Sequence, residues 1–186
     1  MSLLDVDDVT VRFGGIVALD GLSFSIEEGH ICGLIGPNGA GKTTMFNVVS
    51  RIYQPTSGSV RFRGQELLEV PAHGIAKLGI ARALVHEPEV LVLDEPTRSL
   101  DPIAASEVCE ILSDLANAGH TVVLSSHRLD ELERLAHDVS VIIGGQLRYS
   151  GSMEALRTEG STVASALEDM LMEDRRRIAR EQGLDL

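Results

Sequence analysis

Gly36-Pro37-Asn38-Gly39-Ala40-Gly41-Lys42-Thr43 sets two glycines, a lysine and a hydroxyl at the spacing G-x-x-x-x-G-K-[ST] of a phosphate-binding loop. Glycines let successive backbone N–H groups turn inward around phosphate oxygens, and a helix beginning at the end of the loop adds its partial positive charge. The motif makes Lys42 the candidate for the β and γ phosphates of a nucleotide and Thr43 the candidate hydroxyl for Mg²⁺. Gly36, Asn38, Gly39, Ala40, Gly41 and Thr44 complete the expected binding set. Lys42 is one of only two lysines in a chain that otherwise uses arginine, which suits a place where a compact point charge is needed. The alternative is a glycine-rich turn that binds nothing.

A second group lies at Val90-Leu91-Val92-Leu93-Asp94-Glu95, a short apolar run ending in two carboxylates. Such a strand end can hold Mg²⁺ and polarise a water. Asp94 takes the metal side and Glu95 is the general base toward the γ-phosphate, because consecutive residues at a strand end point to different sides. The alternative is an acidic pair that caps the following element.

The elements that must position these groups follow from periodicity. Ile31-Cys32-Gly33-Leu34-Ile35, Val90 to Leu93 and Thr121-Val122-Val123-Leu124 read as strands buried on both faces, and we expect Ile35, Leu93 and Leu124 at the centre of one sheet. From Leu3 to Leu34 the pattern favours strands, with Val9, Val11 and Phe13 alternating, then Leu22, Phe24 and Ile26. Helices are expected over 40–50, 71–85, 103–118 and 129–136, with a loop at 55–58, a hairpin turning at Gly144-Gly145 and a polar helical tail from Ser161. Leu167, Met170 and Leu171 give that tail an apolar face, and Arg175-Arg176-Arg177 a solvated one. The fold class is α/β: a phosphate-loop nucleotide-binding core with a mostly parallel sheet and an antiparallel β layer at the amino end.

With 186 residues and 44% apolar composition, the length prior gives one domain, here 1–160, with the helical tail at 161–186. Sixteen Lys plus Arg against 28 Asp plus Glu leave a net charge of −12, which argues against nucleic acid as a main partner. Cys32 and Cys109 are too few for a disulfide framework and read as small buried hydrophobes. No apolar run approaches the ~20 residues of a membrane span, and the acidic start is unlike a signal peptide, so a cytoplasmic chain is expected.

These residues together resemble the ATP-binding cassette (ABC) transporter ATPases over roughly residues 3–158. Ser99-Leu100-Asp101 follows Asp94-Glu95-Pro96-Thr97 as the family's D-loop does, and Ser125-Ser126-His127 is similar to its switch-histidine loop. The resemblance implies that His127 contacts the γ-phosphate and orients Glu95, that Asp101 belongs to the nucleotide set, and that Phe13 stacks on adenine. A strand core residue is the other reading of Phe13. Pro71 to Arg82 resembles branched-chain amino acid importer ATPases, whereas Glu95 to Pro102 and Leu124 to Leu156 look more like exporter ATPases.

Three parts of that family are missing between the loop and the acidic strand: a glutamine loop, a helical subdomain and the Leu-Ser-Gly-Gly-Gln signature. Lys42 and Asp94 are only 52 positions apart. An in-frame deletion or fusion near 79–86, across a shared Ile-Ala-Arg, accounts for this. Gly144-Gly145-Gln146 follows His127 and lacks the preceding serine, so it is a hairpin turn and not the signature. The resemblance therefore implies an ATP- and Mg²⁺-binding subunit that energises transport, with impaired hydrolysis. Its partners are a membrane permease at the inner face of the cell membrane and a second ATPase subunit in a homo- or heterodimer. The alternatives are a non-catalytic Mg-ATP-binding module, or a phosphate-loop kinase or GTPase; the last lacks an Asn-Lys-x-Asp guanine motif.

Overall fold

The computed structural model describes residues 2–67, 89–98, 100–159 and 162–181. Two β-sheets carry it. The first is antiparallel, in the order β2-β1-β4-β5, with β1 (Ser2–Phe13), β2 (Ile16–Glu27), β4 (Ser57–Phe62) and β5 (Gln65–Glu66). The second runs β6-β7-β3-β8-β9, with β3 (Ile31–Ile35), β6 (Val90–Asp94), β7 (Thr121–Ser125), β8 (Asp138–Ile143) and β9 (Gln146–Ser152). Its first four strands are mutually parallel, and β9 returns antiparallel to β8 through the Gly144-Gly145 turn. The expected mostly parallel sheet with an antiparallel amino-terminal layer is therefore present.

Side-chain alternation along the buried strands sorts the core into two layers. Cys32 and Leu34 of β3, with Val123 of β7, pack toward the antiparallel sheet and helix α1 (Lys42–Val49). Ile31 and Ile35, with Leu91, Leu93, Val122 and Leu124, face the opposite layer. That layer comprises α2 (Pro102–Asn117), α3 (Leu129–Leu135), α4 (Met153–Glu159) and α5 (Val163–Glu181). Gly33 faces α3 so closely that a Cβ there would lie 3.0 Å from Leu132 Cδ2, a tight approach between strand and helix. Each fully buried Leu or Ile in these layers contributes about 1.5–3 kcal/mol of transfer free energy.

Several expectations need correction. Leu93 does not sit at the centre of its sheet: β6 is the outermost described strand, β3 occupies the middle, and β7 lies between them. Strand order is decided by crossovers, which a local apolar run does not encode. Phe13 leaves the core although Val9 and Val11 are buried, because register shifts between Val9, Val11 and Arg12 break the alternation before it. β4 begins at Ser57, inside the expected loop, and α4 was not foreseen at all. The helix expected over 71–85 and the junction near 79–86 lie outside the described residues. The helix expected from Ser161 is α5; Val163, Ala166 and Leu167 join the core, Asp174 pairs with Arg148 of β9, and Arg175 and Arg176 are exposed.

Complete burial pushes the Cys32 thiol up to about 12, with the nearby Asp138 carboxylate adding to the rise. Cys109 is half-buried, and desolvation raises it as well. An aromatic disulfide reagent at pH 8 should therefore label Cys109 first and reach Cys32 only when the protein unfolds. Two thiols reacting together in native protein would contradict this packing.

Candidate functional site

The carboxyl ends of β3, β6 and β7 lie side by side, and the chemistry-bearing residues are on them or just beyond them. The loop after β3 folds against a wall of backbone. A Cβ on Gly36 would strike the carbonyl oxygen of Ile142, and one on Gly41 would lie 2.6 Å from Leu19 Cδ2 and 2.7 Å from the Ala18 carbonyl oxygen. Gly41 also holds φ at 103° as the N-cap of α1, a left-handed conformation that glycine alone takes without strain. The Gly144-Gly145 turn braces the loop from behind: the Gly145 amide donates to the Ala40 carbonyl at 3.1 Å, and the Asp20 amide donates to the Gly145 carbonyl at 2.9 Å.

Residues 38–44, together with Ala18, Asp94, Glu95 and Arg98, line a cleft of about 330 Å³. Lys42 is 8% exposed, and its Nζ donates to the carbonyls of Gly36 at 2.7 Å and Pro37 at 3.1 Å. Burial lowers the pKa of its ammonium from the usual lysine range, opposed by the nearby Glu95 and Asp94 carboxylates. Thr43 Oγ1 donates to Asp94 Oδ2 at 3.0 Å. The other Asp94 oxygen, Oδ1, accepts from Ser125 Oγ at 2.5 Å. A hydroxyl and a carboxylate held together in this way are hard oxygen donors of the kind Mg²⁺ takes.

Glu95 lies one residue on, with φ at 52°. A left-handed non-glycine residue costs about 1–3 kcal/mol and persists only where its surroundings over-determine it. Here the Glu95 amide is pinned by the Ser125 hydroxyl at 2.9 Å and the Ser125 carbonyl at 3.2 Å. The bend separates the Glu95 carboxylate from that of Asp94 and brings Oε2 against His127 Nδ1. With Glu95 ionised, Nδ1–H donates and holds the carboxylate in place.

Lys42, Thr43, Asp94 and Glu95 line one cleft with Asn38, Gly39, Ala40, Gly41 and Thr44; His127 does not line it and is joined to it through Glu95, and Gly36 is joined to it through its carbonyl, which accepts from Lys42. Two candidates lie elsewhere. Asp101 caps α2, its Oδ1 accepting from the amides of Ile103 and Ala104 at 3.0 and 3.1 Å, and it does not line the cleft. Phe13 is 46% exposed and packs edge-on to Tyr53 at 5.2 Å; its cross-strand partner is Ile16, two residues before the lining residue Ala18. Ser99 of the expected D-loop lies outside the described residues. Sequence reasoning missed three residues: Ser125, whose role as a tie between Asp94 and Glu95 has no motif of its own; Gly145; and Arg98.

A family model described as ABC transporter matches residues 19–76. Over 80 residues the chain is 46% identical to the high-affinity branched-chain amino acid transport ATP-binding protein BraF of Pseudomonas aeruginosa, covering 43% of this chain and 31% of that protein. Against the bacitracin transport ATP-binding protein BcrA of Bacillus licheniformis it is 30% identical over 209 positions, covering 78% of this chain and 68% of that protein. Seventy-eight per cent of 186 residues is about 145, so roughly 60 positions of that alignment have no counterpart here. This is an internal shortfall of the kind the close spacing of Lys42 and Asp94 implies. Among solved structures, an ATP-binding cassette in a dimeric post-hydrolysis state bound to ADP and Pi matches with a TM-score of 0.72 at 18% identity, covering 81% of this chain and 98% of that one, a likeness of fold. Fold and cleft together define a phosphate-loop protein of the nucleotide-binding α/β class. Within that class, the chain belongs to the ABC transporter ATP-binding family.

Ser125 is fully buried, so Ser125→Ala strands Asp94 Oδ1 and removes one acceptor from the Glu95 amide. The variant should lose about 1–3 kcal/mol of unfolding free energy in urea. An unchanged transition midpoint would show that this tie carries no stability.

Proposed function

We propose that the chain binds Mg-ATP in the cleft between α1 and β6 and hydrolyses it slowly, as the ATPase subunit of a membrane transport system. The observation that carries this reading is the pair of contacts on the two consecutive carboxylates: Asp94 beside the Thr43 hydroxyl at 3.0 Å, and Glu95 against His127. These contacts support Asp94 as the carboxylate for a metal and Glu95 as the one for a proton.

Bound Mg-ATP supplies the phosphoanhydride to be cleaved and a divalent charge that neutralises the developing phosphate charge. The loop amides at the start of α1 present donors to the phosphates, and Lys42 turns from the Gly36 and Pro37 carbonyls toward the β and γ oxygens. Thr43 and Asp94 would hold Mg²⁺. Glu95 accepts a proton from the attacking water, and His127 keeps it oriented through Nδ1. Phe13, exposed and paired across the strands with Ile16, two residues before Ala18, offers an aromatic face for adenine, and Asp101 acts by fixing the start of α2.

Two contact sets of the family are missing from the sequence, the glutamine loop and the signature that reaches the partner subunit's nucleotide. Loss of one preorganised donor costs a factor of about 10² to 10³ in rate, so turnover falls well below that of a complete cassette. The 46% identity of the amino-terminal part to BraF supports an amino acid importer as the setting, with a permease and a second ATPase subunit as partners. No helix among the described residues is long and apolar enough to cross a membrane, and the proposed location is the cytoplasmic face, reached through the permease.

Titration with Mg-ATP should show binding that Lys42→Ala abolishes, and steady-state phosphate release should be slow, non-cooperative and removed by Glu95→Gln. Absence of binding at millimolar nucleotide overturns the reading. Fast release with sigmoidal ATP dependence would show that a competent dimer forms without the signature.

A further inference from the structure

The loop after β6 carries a cation that the family motifs do not assign. Arg98 lines the cleft with Lys42, Thr43, Asp94 and Glu95. It is exposed, and its guanidinium makes no hydrogen bond or ion pair among the described residues. This cation sits beside the phosphate loop in a chain of net charge −12.

Its position is fixed by the turn that bears it. The Arg98 amide donates to the Glu95 carbonyl at 3.0 Å, folding the chain back over the end of β6. Thr97, 5% exposed, donates its hydroxyl to Glu131 Oε2 at 2.6 Å, and Arg128 holds Glu131 through its other oxygen at 2.7 Å. The Glu95 amide is tied to Ser125 at the start of the same turn. A turn anchored at both ends presents Arg98 from the β6 side of the cleft, the side of the metal carboxylate and the base, while Lys42 approaches from the loop. On the proposed function, on which this inference rests, that side faces the terminal phosphate.

From this the geometry points to Arg98 as a γ-phosphate ligand supplied within the chain. Its planar donors suit a phosphate group bidentately, and its fixed charge lies where negative charge spreads over the equatorial oxygens during transfer. It gives a single chain a second cation in the cleft besides Lys42. The ligand chemistry is a nucleoside triphosphate, discriminated from the diphosphate.

The test compares Mg-ATP and Mg-ADP affinities, by calorimetric titration of the full chain, for wild type, Arg98→Ala, Arg98→Lys and Arg176→Ala. Arg176 lies on α5, away from the cleft, and controls for loss of one positive charge; thermal melts check that each variant is folded. Arg98→Ala should weaken Mg-ATP by about tenfold or more and leave Mg-ADP within about twofold, with Arg98→Lys intermediate and Arg176→Ala like wild type. Equal weakening of both nucleotides, no change in either, or the same loss in Arg176→Ala overturns the assignment while the proposed function stands. Wild type that binds neither nucleotide overturns the proposed function and this inference with it.

Discussion

Asp94 is the side chain on which the site turns. Its two oxygens accept from Thr43 at the start of α1 and from Ser125 at the end of β7, so one carboxylate joins the loop after β3, the end of β6 and the end of β7. The bond to the fully buried Ser125 is the more sheltered of the two, and leaving it unmade is costly. Ser125 also holds the Glu95 amide. The position of the Asp94 carboxylate and the backbone conformation of Glu95 are therefore tied to the same hydroxyl.

The network has a consequence for charge. Glu95 and Asp94 both act on Lys42, opposing the effect of its burial. Two carboxylates and two cations, Lys42 and Arg98, share a small cleft and offset one another, whereas the chain as a whole carries a large negative excess. Screening restricts that excess to about 8–10 Å at physiological salt, so local donors decide what the cleft attracts. An acidic protein that binds an anion is consistent on these terms.

What could be read from the sequence depended on whether the physics was local. The spacing from Gly36 to Thr43 and the apolar run before Asp94 each specify a strand, a turn and a group at its end, and those elements are present. The apolar runs of β3 and β7, expected as strands buried on both faces, are buried along their whole length. Strand order was not legible, because Leu93 looks the same in a central or an outer strand; Phe13 left the core through register shifts that no propensity announces. Ser125 and Arg98 were passed over for a related reason. A serine after an apolar run and an arginine in a turn have many uses, and only the fold brings them to Asp94, Glu95 and the cleft.

The brace behind the phosphate loop bears on the order in which the molecule is made. Ala40 receives its bond from Gly145, and Gly36 approaches Ile142, both on the β8–β9 hairpin far along the chain. Ribosomal synthesis delivers the loop early and its backing late, and domains form as units once their distant contacts exist. A nascent chain that already shows the whole glycine-rich motif still lacks the surface that gives the loop its shape. The loop's shape is thus acquired only after the hairpin has been made, and a ribosome stalled before the hairpin emerges holds a legible motif without a formed site.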